Sequence, residues 1–197
     1  MPIETLDETQ APASRLYELM VDAAEVRTTQ IPFQKMDSVV AAMTNPRGKP
    51  PSSWPAALSL SWLGGEELVP ADMPNSTILP IWSEWAVTRF GADFARSGRL
   101  LPLHIDGTPY HALAVDLFAD CLDTKRSSPV LRYRVIERPV FRPEAIPDAP
   151  AFCVPQIPMT VLWTGAFVRR LMAAGATGIQ PRLVWSDDPT RAAVGCR

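Results

Sequence analysis

Histidine, cysteine and surplus charge are all scarce in this chain, and each shortage removes a class of function. Its 197 residues include two histidines and three cysteines. Cys121, Cys153 and Cys196 are odd in number and widely spaced, which is no disulfide framework. They read as two buried thiols and a third in a loose tail. Reduced cysteines fit a cytoplasmic setting. The formal net charge is −2, from 19 basic and 21 acidic residues. Nucleic-acid binders carry a strong basic excess, and polybasic membrane anchors need clustered Lys and Arg. Neither partner is expected. No uncharged apolar run reaches the ~18 residues a membrane-spanning helix needs. The opening residues, Met1 to Glu8, are acidic and lack the apolar stretch of a secretory signal.

Proline is what the chain has in plenty, 21 in all. It cannot donate a backbone hydrogen bond and it stops helices. Clusters at 46–55, 70–80, 139–150 and 155–158 therefore predict short elements joined by long extended connections. The length suits one domain over residues 1–197, able to bury roughly 70% of its unfolded surface without a metal or disulfide. A hydrophobic content of 47% excludes disorder across the whole chain.

Residues 1–13 and 186–197 read as loose ends. From Ser14 to Val26, Leu16, Leu19, Met20, Ala23 and Ala24 fall at helical spacing with Ser14 as N-cap, although Leu16 to Met20 can also be read as extended. Asp37 to Met43 reads as a short helix, and 45–55 as a turn-rich connector. Leu58 to Leu63 alternates as a strand does, ending at Gly64 and Gly65. Ile78 to Trp82 is a predicted strand, followed by a helix from the Ser83 cap to about Ala95. Gly98 ends that helix. Leu101 to Ile105 and Tyr110 to Leu117 form a hairpin about Asp106 and Gly107. Residues 130–142 alternate until Pro139, with Arg132, Arg134 and Arg138 on one face. Val161 to Trp163 is a strand, Thr164 caps a helix through Ala174, Gly175 and Gly178 bracket its end, and Pro181 to Trp185 closes the chain as a strand.

One internal similarity organises these elements. Residues 81–90 parallel 162–171. In each, a strand ending in Trp (Trp82, Trp163) meets a hydroxyl residue (Ser83, Thr164), then a helix with Val and Arg at matching offsets, then a Gly-containing turn and a strand. Two copies of one strand–helix–strand unit are predicted.

Chemistry-bearing motifs are missing. With a four-residue loop from Asp106 to Pro109, His104 and His111 would face each other across the hairpin. A zinc site needs further ligands at recognisable spacing, and none is present. Cys121 is flanked by Asp120 and Asp123, which oppose thiolate formation. Asp116, Asp120 and Asp123 offer carboxylates for acid–base or glycosidic work, but they read equally as solvated acids at a strand end and turn. Trp82, Trp163 and Trp185 sit among apolar residues and read as core rather than as a sugar platform. No metal and no cofactor is expected.

In their order, several segments resemble a family of bacterial immunity proteins from polymorphic toxin systems. They are Pro70 to Pro74, an acidic turn; Pro80 to Trp85, a strand and Ser-Glu cap; and Leu101 to Leu103 with Tyr110 to Leu113, a hairpin. Asp120 to Asp123 with Ser127 forms a turn, and Phe152 with Val161 to Gly178 a closing helix and Gly turn. The likeness spans residues 70–185, and the first 65 residues carry none of it. Thr164 and Gly165 depart from the family's usual Ser and Glu. The resemblance implies a protein that binds and neutralises a cognate toxin encoded nearby, without catalysis.

The expectation is thus an α+β fold: a mixed, short-stranded sheet with two main helices in similar strand–helix–strand units. Candidate toxin contacts are Glu66, Glu67, Asp72, Asp116, Asp120 and Asp123. The alternative is a small-ligand or sugar-binding enzyme using Asp116, Asp120 or Asp123 beside an aromatic wall. A third reading is a subunit of a larger assembly.

Overall fold

The segment that scans as an N-terminal helix is a strand, and its position explains the misreading. The computed structural model describes residues 14–37, 58–75, 79–129 and 136–188. In it β1 (Arg15–Val21) lies between β10 (Ile157–Thr164) and β11 (Ile179–Ser186), antiparallel to both. Tyr17, Leu19 and Val21 face one core, while Leu16 is buried in another. A strand covered on both faces shows no polar alternation. The apolar positions 16, 19 and 20 then fit a helical period by coincidence. Ser14 caps nothing; its carbonyl accepts from the Asp187 N–H.

The fold is α+β. Among the described residues there are eleven strands in three sheets and two α-helices, α1 (Glu84–Ala95) and α2 (Gly165–Ala173). The first sheet has the order β11-β1-β10-β9, with β9 at Ala151–Val154. Another runs β3-β7-β8-β6: β3 (Leu58–Leu60), β7 (Gly98–Ile105), β8 (Thr108–Val115) and β6 (Ile81–Ser83). A small third sheet runs β4-β2-β5: β4 (Trp62–Leu63), β2 (Val26–Thr29) and β5 (Val69–Pro70). The predicted strand over 58–63 is therefore two strands in two different sheets, broken at Ser61.

The two predicted units share an unusual topology. In β6–α1–β7, the strands before and after the helix do not pair; β8 lies between them, antiparallel to both. In β10–α2–β11 the intervening strand is β1, again antiparallel to both. One middle strand follows its unit by a hairpin, and the other comes from the start of the chain. Trp82 and Trp163 each stand one residue before the helix N-cap, and they touch edge to face at a centroid separation of 5.5 Å. Phe90 of α1 and Phe167 of α2 meet at the same distance. These four aromatic rings lie in one core that both sheets and both helices share. Asp93 and Arg170, joined by two hydrogen bonds of 2.5 and 3.1 Å, link the helices outside it.

The two helix caps differ. Ser83 Oγ accepts from the Ala86 N–H at 3.2 Å, as an N-cap does. Thr164 occupies the N-cap position of α2 but makes no capping bond. Its hydroxyl donates instead toward the carbonyls of Ala149 (3.1 Å) and Pro150 (3.3 Å), which tie the approach of β9 to the end of β10.

Two other expectations are corrected. The β7–β8 loop has two residues, not four: Ile105 pairs with Thr108 around Asp106 (φ 45°) and Gly107 (φ 82°). Successive positive φ values are what a tight primed hairpin turn requires. Ile136 to Arg142 is no strand; Leu122 and Phe141 form an isolated bridge, and Arg138 and Val140 bond to the 127–128 turn. Pro139 interrupts any ladder there. The predicted loose arm 1–13, the helix beyond Asp37, the connector at 45–55, Arg132, Arg134, Cys196 and the tail from 189 lie outside the described residues.

Candidate functional site

Among the described residues, four of the six exposed large apolar side chains lie in or next to the small sheet; the others are Trp85 and Met172 on the helices. The strands of that sheet are two to four residues long, too short to bury a face of their own. Beside it opens a cleft of about 400 Å³, at the small end of ligand-binding clefts. Met20 and Val21 of β1 form one wall, and Leu63 of β4 lies on its lining with Ile31 and Met36. Thr28, Thr29, Gln30, Pro74 and Asn75 complete it.

Two of the four polar side chains on the lining are engaged internally. Thr29 Oγ1 donates to the Ser61 carbonyl at 2.8 Å, and Asn75 Nδ2 donates to the Thr29 carbonyl at 2.9 Å. The Thr29 N–H donates to Pro74, and the Ile81 N–H to Asn75. These bonds fasten β2 to the chain entering β6. The rest of the lining is the apolar side chains together with Thr28 and Gln30.

Large apolar residues stand open around it. Phe33, in the 3-10 turn between the lining residues Ile31 and Met36, is 87% exposed. Val69 is 59%, Leu63 46% and Met20 41% exposed. Scattered exposed apolar residues are ordinary, but a group of them about one cleft marks a docking surface.

The six predicted acidic contacts divide sharply. Glu66 and Glu67 lie in the exposed turn between β4 and β5, beside this surface. Asp72 is committed internally. Its Oδ1 accepts from Ser83 Oγ at 2.6 Å, and its Oδ2 accepts from the Thr177 N–H and hydroxyl, both at 2.9 Å. Asp116 pairs with Arg99 at 3.2 Å, and Asp120 lies 3.8 Å from Arg142. Asp123 Oδ1 accepts from the N–H groups of Lys125 and Arg126, closing a turn. Asp116, Asp120 and Asp123 do not line the cleft.

The other chemical candidates are dispersed too. His104 pairs across the hairpin with Pro109, and His111 with Pro102, so the histidines do not face each other. His111 Nδ1 lies 3.5 Å from Glu84 Oε2. Among the described residues, no group of three or more His, Cys, Asp or Glu could hold a metal ion. Cys121 and Cys153 are buried. Burial pushes the Cys121 thiol up to about 11, with Asp120 adding a minor upward push against the backbone and Arg142. Burial alone pushes Cys153 to about 12. The carboxylate flank singled out from sequence is thus a smaller influence than desolvation. Trp82, Trp163 and Trp185 are core residues, as expected.

Sequence reasoning missed the cleft because five separate segments build it, each unremarkable alone. The available signal was the pair of apolar residues in the polar stretches at Phe33 and Leu63. Among the described residues, no helix is long and apolar enough to cross a membrane. Compared with known proteins, the chain matches no protein-family model, and no curated protein matches it in sequence.

Proposed function

We propose that this chain is a protein-binding inhibitor: a cytoplasmic immunity protein that neutralises a cognate toxin by covering its active surface. One observation carries the reading. Met20 and Leu63, both exposed, line a cleft with six apolar residues among its ten, and exposed Phe33 and Val69 lie on the 3-10 turn and strand next to it in the chain and sheet. A centre of apolar anchors with a charged rim is how protein interfaces are built. A catalytic site would instead bring titratable side chains into the cleft, and among the described residues none lies on its lining. The carboxylates of the enzyme alternative are occupied by Arg99, Arg142 and a turn. The ordered resemblance of residues 70–185 to immunity proteins supplies the specific role.

The test is co-expression with the product of the neighbouring gene. Cells survive with this protein and die without it, and the purified pair binds with a free energy of about −9 kcal/mol or stronger. Absence of both protection and complex removes the toxin reading.

A further inference from the structure

The chemistry of the partner can be read from the surroundings of the cleft. Across residues 20–37 and 61–75 there are six carboxylates and two basic side chains. Asp72 is held by Ser83 and Thr177, so five carboxylates against two cations remain, a net of three negative charges, whereas the whole chain carries a net of two. Asp22 follows the lining residue Val21, and Asp37 follows Met36. Glu25 is exposed in the β1–β2 turn, and Glu66 and Glu67 in the turn after Leu63. Of the two cations, Arg27 turns to the Gly65 carbonyl at 3.1 Å. The segments that supply the apolar lining thus carry an acidic excess.

We infer that the cleft between β1, β2 and β4 receives one large apolar side chain from a segment of a partner protein rich in lysine and arginine. Two features set the chemistry. Six of the ten lining residues, Met20, Val21, Ile31, Met36, Leu63 and Pro74, are apolar, which favours insertion of an apolar group. The acidic excess disfavours acidic partners and attracts basic ones, raising the encounter rate at low salt. The exposure of Phe33 and Val69 beyond the cleft provides area for a macromolecule rather than a small ligand alone. This inference rests on the docking reading of the face and not on the partner being a toxin.

The probe is a fluorescent heptapeptide with a central leucine flanked by lysines, titrated against the full chain at low and moderate salt. Two control peptides carry serine for the leucine or glutamate for the lysines. Binding is expected to fall about tenfold with the serine peptide and with Leu63→Arg. The double variant Glu66→Lys, Glu67→Lys should weaken binding about fivefold and flatten its salt dependence. Leu63 is 46% exposed, so its variant keeps the fold, which an unchanged urea midpoint verifies. Equal binding of the glutamate peptide, or no loss with Leu63→Arg, overturns the inference. So does a dimer that Leu63→Arg dissociates, because the seat then belongs to a second copy. Peptide binding without protection in cells rejects the toxin and leaves the seat. Protection indifferent to Leu63→Arg rejects the seat and leaves the toxin.

Discussion

Asp72 and Thr177 are 105 positions apart in sequence, yet each bonds the other through both main chain and side chain. The Asp72 carboxylate accepts from the Thr177 N–H and hydroxyl, and the Asp72 N–H donates to Thr177 Oγ1 at 3.1 Å. The same carboxylate accepts from the hydroxyl that caps α1. One aspartate thereby joins the start of the first strand–helix–strand unit to the Gly turn that ends the second helix.

Asp72→Ala is accordingly a stability variant. It removes three charge-assisted hydrogen bonds at a half-buried site, each worth less than a fully buried one. The expected loss is about 2 kcal/mol, with Asp72→Asn losing about half as much. Urea unfolding at constant m-value measures it. A loss below about 0.5 kcal/mol would place Asp72 back among the free surface acids.

Thr164 distinguishes a cap from a clasp. Were it an N-cap, Thr164→Asp would be neutral or stabilising, since aspartate caps well and favours a helix N-terminus. Its hydroxyl donates to two carbonyls, and a carboxylate cannot donate. Thr164→Asp is therefore expected to cost about 1–2 kcal/mol. A stabilised Thr164→Asp protein in thermal unfolding would refute the clasp.

Gly98 and Gly107 separate two reasons for glycine. A Cβ on Gly98 would stand 2.0 Å from the Ala114 carbonyl oxygen, on a paired strand that cannot retreat. A Cβ on Gly107 meets nothing within 4 Å, but its φ of +82° disfavours any other residue. Gly98→Ala is expected to cost about 3 kcal/mol by overpacking, and Gly107→Ala about 1 kcal/mol by backbone strain. Equal losses in paired urea melts would contradict this division.

Much of the fold could be read from local signals because those signals act locally. Ser83, Glu84 and the end at Ala95 define α1 by capping and period alone. Asp106 and Gly107 define their hairpin by φ preference. For β1 the extended reading stands only as an alternative to a helix, because the strands it pairs with lie more than 130 residues later. Of the candidate site, Glu66 and Glu67 read no differently from the other four candidate acids. The occupation of Asp72 was not legible, because Thr177 is distant in sequence and the pairing has no local signature.

The buried thiols and Tyr110 set an alkaline limit. Burial, with a further push from Asp72, raises Tyr110 to about 12; Cys121 and Cys153 are raised to about 11 and 12. Above pH 9 the unfolded chain loses thiol protons that the native chain keeps. The unfolded state then binds fewer protons, so stability falls as pH rises from about 9 to 11, by up to about 1.4 kcal/mol per unit per group. Cys153→Ala is expected to flatten this slope in urea melts between pH 8 and 11. An unchanged slope would show that Cys153 titrates alike in both states.

Glu18 and Arg182 face each other across the β1–β11 ladder and form an ion pair with little exposure, 10% and 21% for the two side chains. Removing water from both charges is costly, and their attraction largely offsets that cost. Arg182→Met leaves the Glu18 carboxylate buried with less compensation and is expected to destabilise by about 2 kcal/mol. Glu18→Leu strands the guanidinium closer to solvent and should cost less. The double variant removes both desolvation penalties and supplies apolar contact, so it should lie within about 1 kcal/mol of the parent. A double-mutant cycle in urea isolates the coupling. If the double variant is as unstable as the two single losses added together, the pair is not coupled, and the ladder rather than the charges holds β11 to β1.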